Sequence, residues 1–245
     1  EVNITLPQNY VVGATGVLQN KDEKQWMLNR VGQKYTDEQQ ILSSTETKTL
    51  HYQQDNIHDF AWFADKNYNV KKGNVKLPHS GKIVDTWYLY HSRFKKSAKK
   101  AMSDLHDATY YYSKFVGDYP YNSVTAVTGP LGAGGGMEYP MITITDPSAI
   151  IHEVGHNWFY GILGTNERDY AWMDEGLNSF FENKTYKEQA KKDTSKREIK
   201  IGALSSLLSG GGQKLTTEFV ETRNLNQPIH HHSNGYHSSN YFIQL

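Results

Sequence analysis

Two histidines and two glutamates in the middle of the chain have the residue types and the spacing of a zinc site. The run His-Glu-Val-Gly-His occupies 152–156, and Glu175 follows after eighteen further residues. On a helix, residues four apart lie on the same face, so His152 and His156 can present two ring nitrogens to one point. A catalytic zinc takes three protein ligands and keeps a fourth position for water. The spacing therefore predicts one zinc ion held by His152, His156 and Glu175.

Glu153 lies between the two histidines in sequence and falls beside the predicted metal position rather than on it. A carboxylate in that place can accept a proton from water and make the water a nucleophile at neutral pH. The predicted chemistry is hydrolysis, with Glu153 as the general base and acid. A surface helix with two solvated histidines is the alternative, and the spacing of Glu175 disfavours it.

The local sequence around these residues predicts two helices that position them. Asp146 and Pro147 are favoured at a helix start, and Gly161 offers an end. Between them, apolar residues recur near helical period and predict one buried face. A second helix is expected to begin between Tyr170 and Asp174 and to carry the third ligand.

These residues resemble the gluzincin zinc aminopeptidases, a family that includes alanyl aminopeptidases and leukotriene hydrolase. The family pattern runs His-Glu-x-x-His, Trp-Phe and Trp-Leu-Asn-Glu-Gly. The matching segments here are 152–156, Trp158-Phe159 and 172–176, with Asp174 where the family commonly has Asn. The resemblance implies a zinc-dependent aminopeptidase of the bacterial type, acting on peptides that have a free amino terminus.

A glycine-rich segment upstream, 134–140, is similar to the Gly-x-Met-Glu-Asn segment of the same family, with Tyr139 in the last position. Glycines such as Gly135 and Gly136 allow a peptide backbone to approach and pair as an added strand. Glu138 can hold the α-ammonium group of a substrate by a charge-assisted hydrogen bond. A glycine-rich turn with a solvated glutamate is the alternative interpretation.

The resemblance also implies a tyrosine that stabilises the oxyanion, about sixty residues after the third ligand. Tyr236 and Tyr241 lie at a suitable distance, but neither is followed by the Lys-Gly that accompanies this tyrosine in the family. A structural role is the alternative for each of them.

The composition limits the partners and the compartment. Lys plus Arg equals Asp plus Glu at 26 each, so no overall charge favours nucleic acid. No apolar run is long enough to span a membrane. The chain contains no cysteine, which rules out disulfides and thiolate ligands. We expect an extracytoplasmic location in a bacterium.

The pattern of elements predicts an α+β fold with two regions. Residues 1–91 are rich in short alternating runs, and they resemble the closing part of an amino-terminal β domain. Residues 92–245 resemble a thermolysin-like zinc metallopeptidase domain. The resemblance implies that the sequence is part of a longer chain. A zinc endopeptidase built on the same site and a non-catalytic protein-binding member of the fold are the alternative functions.

Overall fold

The computed structural model of the protein describes residues 1–36, 40–131, 135–192, 227–228 and 232–236. Its strands are β1 (Val2–Pro7), β2 (Val11–Ala14), β3 (Val17–Leu18), β4 (Thr47–Gln53), β5 (Trp62–Asp65), β6 (Asn69–Lys76), β7 (Ile83–Tyr90), β8 (Ser123–Val127), β9 (Gly136–Tyr139) and β10 (Ile142–Thr145). Its α-helices are α1 (Lys21–Arg30), α2 (Ala98–Phe115), α3 (Ile150–His156) and α4 (Leu177–Lys192). Two segments, Asn157–Ile162 and Trp172–Gly176, are π-helical, and Ser92–Phe94 and Ser233–Gly235 are short 3-10 helices.

These elements form two compact units, Glu1–Gly164 and Thr165–Leu245. The mixture of helix and sheet agrees with the predicted α+β class. Within the described ranges, no helix has the length and apolar character needed to cross a membrane.

The largest sheet of the first unit has five strands in the order β6-β7-β8-β10-β9. Strands β7, β8 and β10 are parallel, and β6 and β9 pair antiparallel at the two edges. The parallel pair β7–β8 requires a crossover, which α2 supplies. The boundary predicted between residues 91 and 92 therefore falls within a continuous sheet. The alternating pattern of 82–89 predicts a strand but not the sheet to which that strand belongs.

The remaining strands of the first unit form two small sheets, β1-β4-β3 and β2-β5. Alternate residues of β1 point to one face, and there Ile4 and Leu6 pack with Val12, Leu50 and Tyr52 in one apolar cluster. This packing holds the amino-terminal strands together.

Apolar residues recur at helical period from about Ser92 through Phe115, which predicts a helix there with Leu105 and Tyr112 facing inward. Helix α2 does end at Phe115, but it begins only at Ala98 after a short 3-10 turn. Leu105 and Tyr112 are fully buried, in agreement with the predicted inward face. The helix packs against α3, and α3 in turn contacts β9 and β10. The sheet and α2 together fix the position of α3.

Candidate metal centre

Helix α3 begins later than the sequence predicts. Its N-cap residue is Ala149, which makes no side-chain cap. The carboxylate of Asp146 instead accepts hydrogen bonds from the backbone N–H and the hydroxyl of Ser148, at 2.9 and 2.7 Å. Asp146 therefore stabilises the turn before the helix. Asp side chains can accept hydrogen bonds from nearby backbone groups in such turns as well as at helix caps.

The apolar side chains of α3 are Ile150, Ile151 and Val154, each no more than 1% exposed, and they anchor the helix. His156 is equally buried at 1% exposed, whereas His152 is partly exposed. The Nε2 atoms of His152 and His156 are 3.1 Å apart. Two nitrogens on a tetrahedral zinc are separated by about 3.4 Å, given zinc–nitrogen bonds of about 2.1 Å. The histidine pair therefore fits a zinc ion.

Glu153 is buried beside this pair, with only 5% of its surface exposed. Its side chain lies directly over Gly136 in β9. A β-carbon placed on Gly136 would be 2.2 Å from Cδ and 2.4 Å from Oε1 of Glu153. Position 136 must therefore be glycine if Glu153 is to keep this place. The sequence predicts that Gly136 lets a substrate approach, but it gives no sign of the contact with Glu153.

Strand β9 is the outermost strand of the five-stranded sheet in the part of the chain that the structure describes. It pairs antiparallel with β10, and Glu138 lies opposite Thr143. Gly135 precedes it, is exposed, and accepts a hydrogen bond from the Asp146 N–H at 2.8 Å. A carboxylate oxygen of Glu138 lies within 4.8 Å of a ring nitrogen of His156. The structure thus brings Gly136, Glu138, Glu153 and the two histidines together in the first unit.

Tyr139, which replaces the Asn of the related motif, has an identifiable contact. Its ring packs against Phe63 with centroids 6.1 Å apart and joins the cluster of apolar residues under the sheet. Position 139 therefore contributes to packing between β9 and β5.

The helix that carries the histidines continues past His156 in π-helical form through Ile162. The predicted end at Gly161 is wrong, because Gly161 lies inside this segment and Gly164, with φ of 59°, follows it. Within the segment, the indole N–H of Trp158 donates to the Gly117 carbonyl at 2.7 Å. Segments of π-helix occur often at functional sites.

The second unit contains the other predicted residues that the structure describes. Glu175 lies in the π-helical segment Trp172–Gly176, which leads directly into α4 and confirms the predicted helix start. Asp174 and Asn178 are almost fully buried on either side of it in sequence. Tyr236 is 9% exposed, and its hydroxyl donates to the Pro228 carbonyl at 2.9 Å. Tyr241 lies outside the described residues.

The fold is shared with known zinc peptidases. A variant of a two-domain M1 zinc metallopeptidase bound to L-tryptophan matches with a TM-score of 0.62 and 13% identity, over 99% of this chain and 49% of that one. A variant of the M1 zinc metallopeptidase of Deinococcus radiodurans bound to Tyr-Ser-Ala matches with a TM-score of 0.58, 13% identity and the same coverage. Aminopeptidase A of Legionella pneumophila, in complex with aspartic acid, matches with a TM-score of 0.56 and 14% identity, over 76% of this chain and 22% of that one.

The chain thus spans about half the length of the first two structures, and at these identities the similarity establishes the fold. The sequence itself matches no known family profile and no curated protein.

Proposed function

We propose that the protein is a zinc-dependent aminopeptidase that hydrolyses the first peptide bond of peptides with a free amino terminus. The observation that supports this best is the burial of Glu153 between the histidine pair of α3 and the edge strand β9. A carboxylate in that place is within reach of both a metal and a peptide lying on the strand.

The proposed zinc ligands are His152, His156 and Glu175. The separation of the two histidine nitrogens supports the pair, and the spacing of eighteen residues supports Glu175. The donor set of two imidazoles and one carboxylate is that of a catalytic zinc site with an open position. Bound zinc supplies a Lewis acid that polarises a carbonyl group and makes water more acidic.

The proposed peptide site is the outer edge of β9. Gly135 and Gly136 let a substrate backbone come close to this edge and pair with it. Glu138 then accepts a hydrogen bond from the α-ammonium group. Within one residue, the amino nitrogen and the carbonyl oxygen are about 3 Å apart. A substrate whose α-ammonium group is bound by Glu138 would therefore have the carbonyl of its first residue near His156. This geometry favours cleavage of the first bond.

The proposed proton carrier is Glu153. Its carboxylate takes a proton from water as the water oxygen attacks the carbonyl carbon, and it then gives that proton to the nitrogen of the departing peptide. Either Tyr236 or Tyr241 is the proposed donor to the oxyanion. For Tyr236 to act in this way, its hydroxyl has to exchange the Pro228 carbonyl for the substrate oxygen.

The test of this function is the Glu153→Gln variant, which keeps the size of the side chain and removes its basicity. We expect it to bind zinc as the wild type does and to lose about 10²- to 10⁴-fold in kcat. Zinc content and peptide hydrolysis are measured on the same samples. Wild-type activity in the variant would remove Glu153 as the base. A zinc-loaded wild type that cleaves no peptide would favour the protein-binding alternative.

A further inference from the structure

The turn between β9 and β10 is strained and tightly held. The register places Tyr139 opposite Ile142, so only Pro140 and Met141 form the loop. Met141 has a φ of 67°. Proline followed by a residue with positive φ is the geometry of a type II turn, in which glycine is the usual second residue. A strained residue persists only where its surroundings over-determine it.

Three different elements hold this turn by hydrogen bonds. Asn157 Oδ1 accepts from the Met141 N–H at 2.8 Å, and the Thr125 N–H of β8 donates to the Met141 carbonyl at 2.9 Å. The Thr15 hydroxyl, on the chain between β2 and β3, donates to the Pro140 carbonyl at 2.9 Å. The first of these bonds comes from the residue directly after His156.

The side chain of Asn157 has a single orientation that satisfies its neighbours. It is 2% exposed, and its Nδ2 donates to the Val154 carbonyl of α3 at 3.0 Å. The Tyr119 hydroxyl lies 3.3 Å from Oδ1 and 3.1 Å from the Ser123 carbonyl oxygen, so its single proton is shared between these two acceptors. Burial raises the pKa of Tyr119 well above its usual value, so the phenol keeps its proton. The Met141 N–H can only donate and the Val154 carbonyl can only accept. The Oδ1 and Nδ2 atoms of Asn157 therefore cannot exchange places.

We infer that Asn157 is a positioning residue, which fixes the edge strand β9 relative to the histidines of α3. Its backbone belongs to the helix that carries His152 and His156, and its side chain holds the turn from which β9 runs back to Glu138 and Gly136. Among the bonds that hold the turn, this amide is the one that ties the amine anchor to the helix of the metal ligands. This inference rests on the proposed function, since it assigns to Asn157 the alignment of the peptide with the metal.

The inference predicts a defect in substrate binding rather than in metal binding. In the zinc-loaded protein, we expect Asn157→Leu to keep its zinc and to lose about 10- to 100-fold in kcat/KM, mainly through a higher KM. Thr15→Val, which removes the bond to Pro140, is expected to show a smaller change of the same kind. Thr15 also accepts from the Ala61 N–H, so its loss is not confined to the turn.

Thr109→Val is the matched control for loss of a buried hydroxyl. Thr109 is fully buried like Thr15, and its hydroxyl donates to the Leu105 carbonyl within α2, at 2.8 Å. We expect its KM to equal that of the wild type at temperatures well below unfolding. An equal rise in KM in Thr109→Val and Asn157→Leu would show that KM rises through general loss of stability. That result would overturn the inference.

Hydrogen exchange of the segment 136–145 gives a readout that does not depend on activity. We expect faster exchange there in Asn157→Leu than in Thr109→Val, because β9 and its turn lose their attachment to α3. Unchanged exchange in Asn157→Leu would refute the positioning role. A wild type without peptidase activity would instead refute the proposed function, so the two failures are distinguishable.

Discussion

The carboxyl group of Glu153 occupies the space in which a side chain on Gly136 would begin. The Cδ atom of Glu153 is 2.2 Å from the position of a β-carbon on Gly136, far below any ordinary contact. The predicted base and the predicted peptide-binding strand are therefore in direct contact.

The first prediction concerns this contact. Gly136→Ala should push the Glu153 carboxylate away from its place and lower kcat by about 100-fold or more, while zinc content stays at the wild-type level. Steady-state kinetics and metal analysis check it. Gly161→Ala is the control, because a β-carbon there meets nothing closer than 3.6 Å. Full activity in Gly136→Ala, or an equal loss in the control, would contradict the account.

The second prediction concerns the amine anchor. Glu138→Gln keeps the shape of the side chain but removes the charge that attracts an α-ammonium group. We expect KM for a free peptide to rise by at least about tenfold, because a charge-assisted hydrogen bond is replaced by a weaker neutral one. The inhibition constant of the same peptide in acetylated form serves as the control and should change little. Equal weakening of both peptides would show that Glu138 does not recognise the amine.

The third prediction concerns the third zinc ligand. Glu175→Gln replaces a carboxylate by a neutral amide, so zinc affinity should fall by at least about tenfold. Competition with a chromophoric chelator measures it. Glu188→Gln removes the same charge further along α4, where Glu188 pairs with Lys191, and should bind zinc normally. Unchanged affinity in Glu175→Gln would exclude Glu175 as a ligand.

The fourth prediction separates packing from chemistry in the Trp-Phe pair after the histidines. Trp158 is 3% exposed, packs at a tilted angle against the rings of Tyr112 and Tyr119, and donates to the Gly117 carbonyl. Trp158→Phe should lower the free energy of unfolding by about 1–3 kcal/mol through the lost hydrogen bond and volume, with zinc content retained. Urea unfolding of the zinc-loaded protein tests this. A stability equal to that of the wild type would mean that Trp158 has little structural role.

The sequence predicts the histidine pair and its helix because both depend on local periodicity. Residues four apart on a helix meet regardless of the rest of the fold, and the apolar face of α3 follows from the same period. Strands β8 and β10 are buried at nearly every position, so their runs of β-branched residues predict them rather than a periodic pattern. The start of α3 is not predictable, because an Asp side chain can either cap a helix or hold a turn, and Asp146 holds the turn with Ser148.

Long-range contacts explain what the sequence does not reveal. The bond from Thr15 to Pro140 joins residues 125 positions apart, and the contact of Glu153 with Gly136 joins a helix to a strand edge. Neither contact has a periodic signature. The π-helical segments that follow His156 and surround Glu175 likewise lack a residue pattern that distinguishes them from α-helix. The only signal for Asn157 in the sequence is an amide side chain directly after a predicted metal ligand.

We propose that this chain removes residues from the free amino end of a peptide. The most direct test is mass spectrometry of the products from one peptide offered with a free and with an acetylated amino terminus, using the zinc-loaded protein and Glu153→Gln as the inactive control. The account predicts a ladder of products from the free peptide, no products from the acetylated one, and none from the variant. Internal cleavage of both peptides by the wild type would contradict it and would identify an endopeptidase instead.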